Sequence, residues 1–376
     1  MKKVGLLLLS FCGGLLAYQT LSAHEITLQS LNLSQDSIDQ EALAALKAPV
    51  GVRPCCAFGV DLKAQLGSVP VPFFSLENVL EPTDIGSHRY NDGSESVSGS
   101  LLGFNDERNG IIFTELGGFI DTAHVRDTAD YSYYLFQLNR QMLGHNGYLT
   151  LPSELKSRRI QWHKQERPLS EFERVERSAQ AAALIAFRLA QWHEIAQWFG
   201  MVSVTGFKEY ASAFSSEDLY SNMLGARLAQ EILVAQPNLT ASQFSLAMDI
   251  AFANQLIKLK AQPKSVTRSK LQQLDGVWWD SDKRLPDKWV VLFRDYHLAL
   301  NLMSNFSGSV HALALEDRFA DQQRIEEWVS LELHSDDQDS AFSALPNTIT
   351  QQAIWRPEQF QCLADFAQQV DQNVRP

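Results

Sequence analysis

The chain lacks a second long apolar run. After Val4–Leu16, no stretch comes near the roughly 20 apolar residues that a membrane-spanning helix requires. It also lacks positive charge: 32 Lys and Arg stand against 44 Asp and Glu, giving −12. Nucleic-acid binding draws most of its affinity from Lys and Arg neutralising phosphates, so that class of partner is excluded. An anionic membrane surface is a poor match for the same reason. Cysteine is scarce, with 4 residues in 376. No phosphate-cradling G-x-x-x-x-G-K-[ST] loop is present, no dinucleotide glycine pattern and no G-x-S-x-G elbow. Internal repeats, low-complexity tracts and clear linkers are missing too. Soluble small molecules or peptides remain as the expected substrates or ligands.

What is present begins with a leader. Lys2 and Lys3 precede the apolar run, and Leu21-Ser22-Ala23 suits cleavage. This reads as a secretory signal peptide over residues 1–23, with the mature chain starting at His24 in the periplasm or outside the cell and no stable membrane insertion after cleavage. Export meets an oxidising compartment, so one disulfide is expected, from Cys362 to Cys55 or Cys56.

Residues 24–376 have the apolar and charged content of a globular chain. They read as a single, mainly helical domain of the α+β type with small peripheral β-elements. Its core is expected over about 50–300 and a loop-rich part over about 276–376. A short helix is expected around Asp39–Lys47, and Pro70 and Pro72 keep Val69–Phe74 out of any internal strand. Ile111–Thr114 suits a strand that Gly117-Gly118 ends, and Asp121 suits the N-cap of a helix to about Met142. Residues 143–168 look irregular, with a strand near Ile160–Lys164. The longest helical pattern runs from Glu171 to Phe199 and stops at Gly200. Ser215 or Ser216 should cap the next helix, with Asp218 completing a capping box on Ser215. Further helices are expected over Thr240–Lys260, Val266–Leu274 and Pro357–Gln372, and strands within Trp289–Leu298 and Trp328–His334.

The segment Trp192-His193-Glu194-Ile195-Ala196-Gln197 carries chemistry. In H-E-x-x-H, two imidazoles one turn apart bind zinc and the intervening Glu activates a bound water. Here Gln197 takes the place of the second His, so the other ligands must come from elsewhere. His124, in the first turn after Asp121, is one candidate, and Asp127 lies on nearly the same face. Glu217 and Asp218 are others, at a helix start that favours a carboxylate. The expected set is therefore metal ligands His124, His193 and Glu217 or Asp218, Glu194 as general base, and Arg126 stabilising developing negative charge. Zinc or another divalent metal is the expected cofactor.

Nineteen residues separate Gln197 from Glu217, which resembles the gluzincin peptidases, although the second His is missing and Ser221 stands where those enzymes carry a supporting Asp. A broader resemblance rests on RPCCAFG, GGFIDTAHVRDTADY, WHEIAQWFG and SAFSSEDLYSNMLG, four blocks in order over about residues 50–300. Together they resemble an uncharacterised bacterial family of exported proteins, which implies membership and no activity. Each site residue also has an ordinary reading. His193 can be a hydrogen-bonded core His, Glu194 a solvated or paired side chain, Glu217 and Asp218 caps, and Arg126 one half of an ion pair with Asp127 or Asp130. The expected function is metal-dependent hydrolysis of a peptide or cell-wall bond outside the cytoplasm. The alternatives are a non-enzymatic exported binding or scaffold protein, and a thiol hydrolase using Cys55 or Cys56 with His124.

Overall fold

The computed structural model describes residues 31–33, 46–50, 53, 57–93, 106–202, 208–304, 306 and 308–375. The expected leader, most of the expected Asp39–Lys47 helix, and Cys55 and Cys56 lie outside these residues. Cys362 is exposed.

The fold mixes α and β. Three helices form its centre: α1 (Thr122–Met142), α2 (Glu171–Trp198) and α3 (Asp218–Ala235). Each packs against the other two. Asp121 caps α1 as expected, its carboxylate accepting the Ala123 and His124 N–H groups. Ser170 caps α2 through a capping box with Glu173. α3 differs from expectation. It starts at Asp218 with no side-chain cap, because the Ser215 hydroxyl is drawn to the Glu217 carboxylate instead. Two more helices follow, α4 (Ala241–Lys258, capped by Thr240) and α5 (Lys264–Gln273), and α6 (Phe360–Val374) is the last.

Around this centre lie strands. β1 (Leu31–Leu33), β4 (Gly147–Glu154), β5 (Lys156–Trp162), β8 (Val329–His334) and β9 (Ile354–Trp355) form one antiparallel sheet in the order β1-β4-β5-β8-β9. The hairpin β4–β5 occupies residues expected to be mostly irregular. It turns at Leu155, which takes a positive φ of 57°. β8 is buried over nearly its whole length, so this sheet is part of the core and not an edging. A second pair, β2 (Ile111–Thr114) and β3 (Gly118–Asp121), forms the hairpin that delivers the chain into α1. Gly118 sits at φ +70°, where a Cβ would fall 2.5 Å from Ser304 Oγ. A third pair joins β6 (Asn301–Met303) to β7 (Ala312–Ala314). Trp289–Leu298, expected as a strand, is instead a 3-10 turn followed by extended chain with isolated bridges at Val291 and Arg294.

Helices and sheet share one apolar core in which Trp162, Trp192, Phe187 and Phe136 are completely buried. Polar pegs fix their register. Asn139 of α1 donates to Ser178 O on α2 and accepts from Trp162 Nε1 on β5. Trp192 Nε1 donates to Glu154 O. α1 and α3 approach each other closely. At Gly225, a Cβ would lie 2.0 Å from the Val125 carbonyl oxygen, so only glycine lets the two backbones meet there. Asn222, three residues earlier, accepts a 2.6 Å hydrogen bond from Thr128. Asp218, one further turn back, comes level with His124.

Candidate metal centre

The β3–α1 junction places Asp121 and His124 on one face, three residues apart. The Asp121 N–H donates to Ser221 Oγ, which ties this junction to α3. As a result, Asp121, His124 and Asp218 bring one ligand atom each within 4.8 Å of one another, and all three are buried. His124 Nδ1 is 3.5 Å from Asp121 Oδ2 and 3.6 Å from Asp218 Oδ1. The other ring nitrogen, Nε2, is 3.9 Å from Glu194 Oε1 on α2. Glu194 is held from its far side, where Oε2 accepts the Phe214 N–H at 2.7 Å. Glu217, the residue before Asp218, accepts from Ser215 Oγ through Oε2.

The electrostatics of this group are unusual. Four carboxylates, Asp121, Glu194, Glu217 and Asp218, are almost wholly buried around one imidazole. Burying a charge is costly unless it is paired and hydrogen-bonded. Yet Glu194 Oε1, Glu217 Oε1 and both oxygens of Asp218 accept no hydrogen bond. Burial accordingly pushes the Asp218 carboxyl well above the usual range, with Glu194, Glu217 and Asp121 adding repulsion against the pull of His124. Burial also raises Glu194, against His124 and His193. It pushes Glu217 up to about 7, with Ser215 opposing it and Asp121 adding to the rise. Arg294, which acts electrostatically on Glu194 and Asp218, is spent on the carbonyls of Ala213, Tyr210 and Lys288. The N-termini of α1 and α3 meet here, and their helix dipoles favour negative charge nearby. A cation would supply the rest.

Of the residues expected from sequence, the structure brings His124 and Asp218 together, with Glu217 and Glu194 beside them. It adds Asp121, which the sequence marks only as a cap. A carboxylate three residues before a His shares its helix face, so the signal was there. His193 falls elsewhere. Its Nδ1 is 3.4 Å from Glu154 Oε1 and its Nε2 is 3.0 Å from Gln197. Burial pulls the His193 pKa down, but Glu154 outweighs it and the net direction is up. The reason is helical geometry: neighbours in sequence project about 100° apart, so with Glu194 turned to His124, His193 is turned away.

Arg126 is displaced for the same reason, two residues on from His124. Its guanidinium donates to the carbonyls of Arg108, Ile85 and Gly86 and to Asn109 Oδ1, none of them in the cluster. Asp127 and Asp130 pair with Arg53, not with Arg126. Arg53 also holds Glu107, and Asp130 holds His88 at 3.0 Å. This second network gathers three carboxylates on one guanidinium and one imidazole and clamps residue 53 to α1. The thiol alternative, His124 with Cys55 or Cys56, lies outside the described residues.

Among known proteins, the sequence model of a family described as "Protein of unknown function (DUF4056)" matches residues 43–307, well over half of the chain and all five residues of the cluster. No curated protein and no solved structure matches.

Proposed function

The chain belongs to that family of unknown function, and we propose that it is a metal-dependent hydrolase whose divalent cation is held by Asp121, His124 and Asp218. The observation that carries this reading is the Asp218 carboxylate, 1% exposed, with neither oxygen hydrogen-bonded and His124 3.6 Å away. One imidazole and two carboxylates suit zinc, the expected ion, and manganese as well. Three protein ligands leave a coordination position for water or substrate. A cation so placed polarises a carbonyl and acidifies bound water. Glu217, the residue before Asp218, is the proposed proton acceptor, a role supported by its bare Oε1 and by a pKa pushed up to about 7. In this arrangement Glu194 lies behind the imidazole, so the expected general base moves from Glu194 to Glu217. The N-terminal dipoles of α1 and α3 replace Arg126 as the fixed positive potential. The proposed substrate is a peptide or cell-wall bond, and the proposed compartment is the periplasm or the exterior, resting on the leader sequence. Among the described residues no helix is long and apolar enough to cross a membrane.

A second reading has its own support. All three ligands are under 10% exposed, which also suits an ion that stabilises a binding or scaffold protein. Metal analysis of protein purified without chelators tests the site itself. One equivalent of zinc or manganese is expected, lost in His124→Ala and Asp218→Asn. Wild-type protein that takes up neither ion overturns both readings. Hydrolysis of peptide or cell-wall fragments that stops with chelator and returns with metal separates the enzyme from the scaffold.

A further inference from the structure

The orientation of the His124 ring poses a question that the three ligands alone do not answer. Either ring nitrogen of a neutral imidazole can carry the proton, and only the bare one can bind a cation. Asp121 and Asp218 both face Nδ1, so Nδ1 is the ligating atom. Nε2 must then carry the proton, and it needs an acceptor. Glu194 faces Nε2: its Oε1 lies 3.9 Å away and accepts no hydrogen bond.

We propose that Glu194 is a positioning residue that fixes the tautomer and orientation of His124, completing a Glu194–His124–cation relay across the α1–α2 contact. The inference rests on the metal reading above. Metal-bound histidines commonly donate their second ring N–H to a carboxylate, which sets the ring's angle and raises its basicity. The separation of 3.9 Å exceeds a hydrogen bond, and a small ring rotation closes it when Nδ1 is drawn towards a cation between Asp121 and Asp218.

Three features of the chain fit this role. Glu194 is fully buried. Its other oxygen is anchored by the Phe214 N–H, so the free oxygen is aimed. It rises from α2, one of the best-buried helices of the core, so its backbone cannot drift. An acid working as a base on bound water would instead have to reach the cation, on the Nδ1 side of the ring. Glu194 faces the opposite nitrogen.

The anchoring also makes Glu194→Gln informative. The Phe214 N–H requires an acceptor, so the amide oxygen of Gln must turn towards it. The amide NH2 is then left facing His124 Nε2. Two donors cannot share that contact, so Nε2 is driven to give up its proton and Nδ1 to carry one, in the position where the metal should bind.

The test is calorimetric titration of zinc into metal-free wild type and Glu194→Gln, with the melting temperature of both metal-free proteins and the visible spectrum of both cobalt-loaded proteins. The expected result is one zinc per wild-type chain and a 10- to 100-fold weaker affinity in Glu194→Gln. The metal-free melting temperature should change little, and the cobalt bands should shift. A purely structural Glu194 would show the reverse, a lower metal-free melting temperature with affinity and cobalt spectrum unaltered. Should Glu194→Gln fold poorly, Glu194→Asp takes its place. It keeps the carboxylate and withdraws it from Nε2, so affinity should fall between the other two. Wild-type binding with variant affinity within about threefold overturns the positioning role and leaves the metal site standing. A wild-type chain that binds neither zinc nor manganese overturns both.

Discussion

Asp218 sits in metal-free protein as a buried carboxyl whose ionisation is opposed by its burial and whose oxygens accept no hydrogen bond. Changing it to Asn keeps the volume and removes the ionisable group, so two opposite outcomes are expected from one substitution. Metal binding is lost, while the metal-free protein gains about 1–2 kcal/mol in denaturant unfolding at pH 8, because a carboxyl that burial raises in the folded state alone has been replaced by a neutral amide. A metal-free variant less stable than wild type would mean that Asp218 is already well compensated. The same charges set the pH dependence. Glu217 is raised from 4.5 to about 7. A raised acid binds more protons folded than unfolded, so the stability of metal-free protein falls as pH rises from about 4.5 to 7. His193, also raised, adds in the same direction near neutrality. Below about 4.5 the sign reverses. There Glu107 is held low by Arg53 and Arg126 despite its burial, and Glu154 is held low by Arg158 and His193 despite its own. Maximum stability is thus expected near pH 5, and a maximum above pH 7 in metal-free protein would contradict this ordering. For catalysis, Glu217→Gln should retain metal and lower turnover by about 10²- to 10⁴-fold. His124, Asp218, Glu194 and Glu217 were legible from sequence as residue types at helix starts. Which of His193 and Glu194 faced the site was not. The last turns of α2 are buried almost all round, and apolar periodicity cannot tell one buried face from another.

At the scale of elements, the centre depends on how closely α3 approaches α1. Gly225→Ala sets two effects against each other. Alanine favours an exposed helix interior by about 1 kcal/mol over glycine. Here, however, its Cβ would meet a backbone carbonyl at 2.0 Å, which cannot rotate aside. The helices must separate, and overpacking of this kind costs about 1–3 kcal/mol or more. A net destabilisation of about 2 kcal/mol is expected, with zinc affinity falling because Asp218 rides on the same helix two turns earlier. A variant as stable as wild type, with unchanged affinity, would show that the approach has slack. The helices themselves were readable because caps and breakers marked their ends: Asp121, Ser170, Gly200 and Thr240. The β4–β5 hairpin was not. Its strands alternate buried and half-buried residues, but Pro152 interrupts the first, and Leu155 turns the chain with a positive φ that no glycine or asparagine announces. The stretch after Trp289 misled in the other direction. It has strand composition but meets its neighbours only at isolated bridges, and composition alone does not supply a continuous partner.

For the molecule as a whole, a cation bridging α1 and α3 binds the folded state and not the unfolded one. At a free concentration 100 times its dissociation constant it should add about 2.7 kcal/mol, which for a chain of this size is a rise of roughly 3–4 °C in melting temperature, reversed by chelator. Melting that ignores both metal and chelator would count against the site. The position of α1 has a further consequence. Of its 21 residues 17 are buried, because one side carries the cluster, another the Arg53 clamp, and the rest the core. Such a segment holds almost no spare positions. In a library of all single substitutions scored for folded protein, residues 118–139 should form the least permissive stretch of the chain. The outward side of α4, where Leu246, Ile250 and Ile257 lie exposed, should accept nearly anything polar. Drift in this sequence would then be channelled to its periphery, and the helix that carries Asp121 and His124 would be the last part to change.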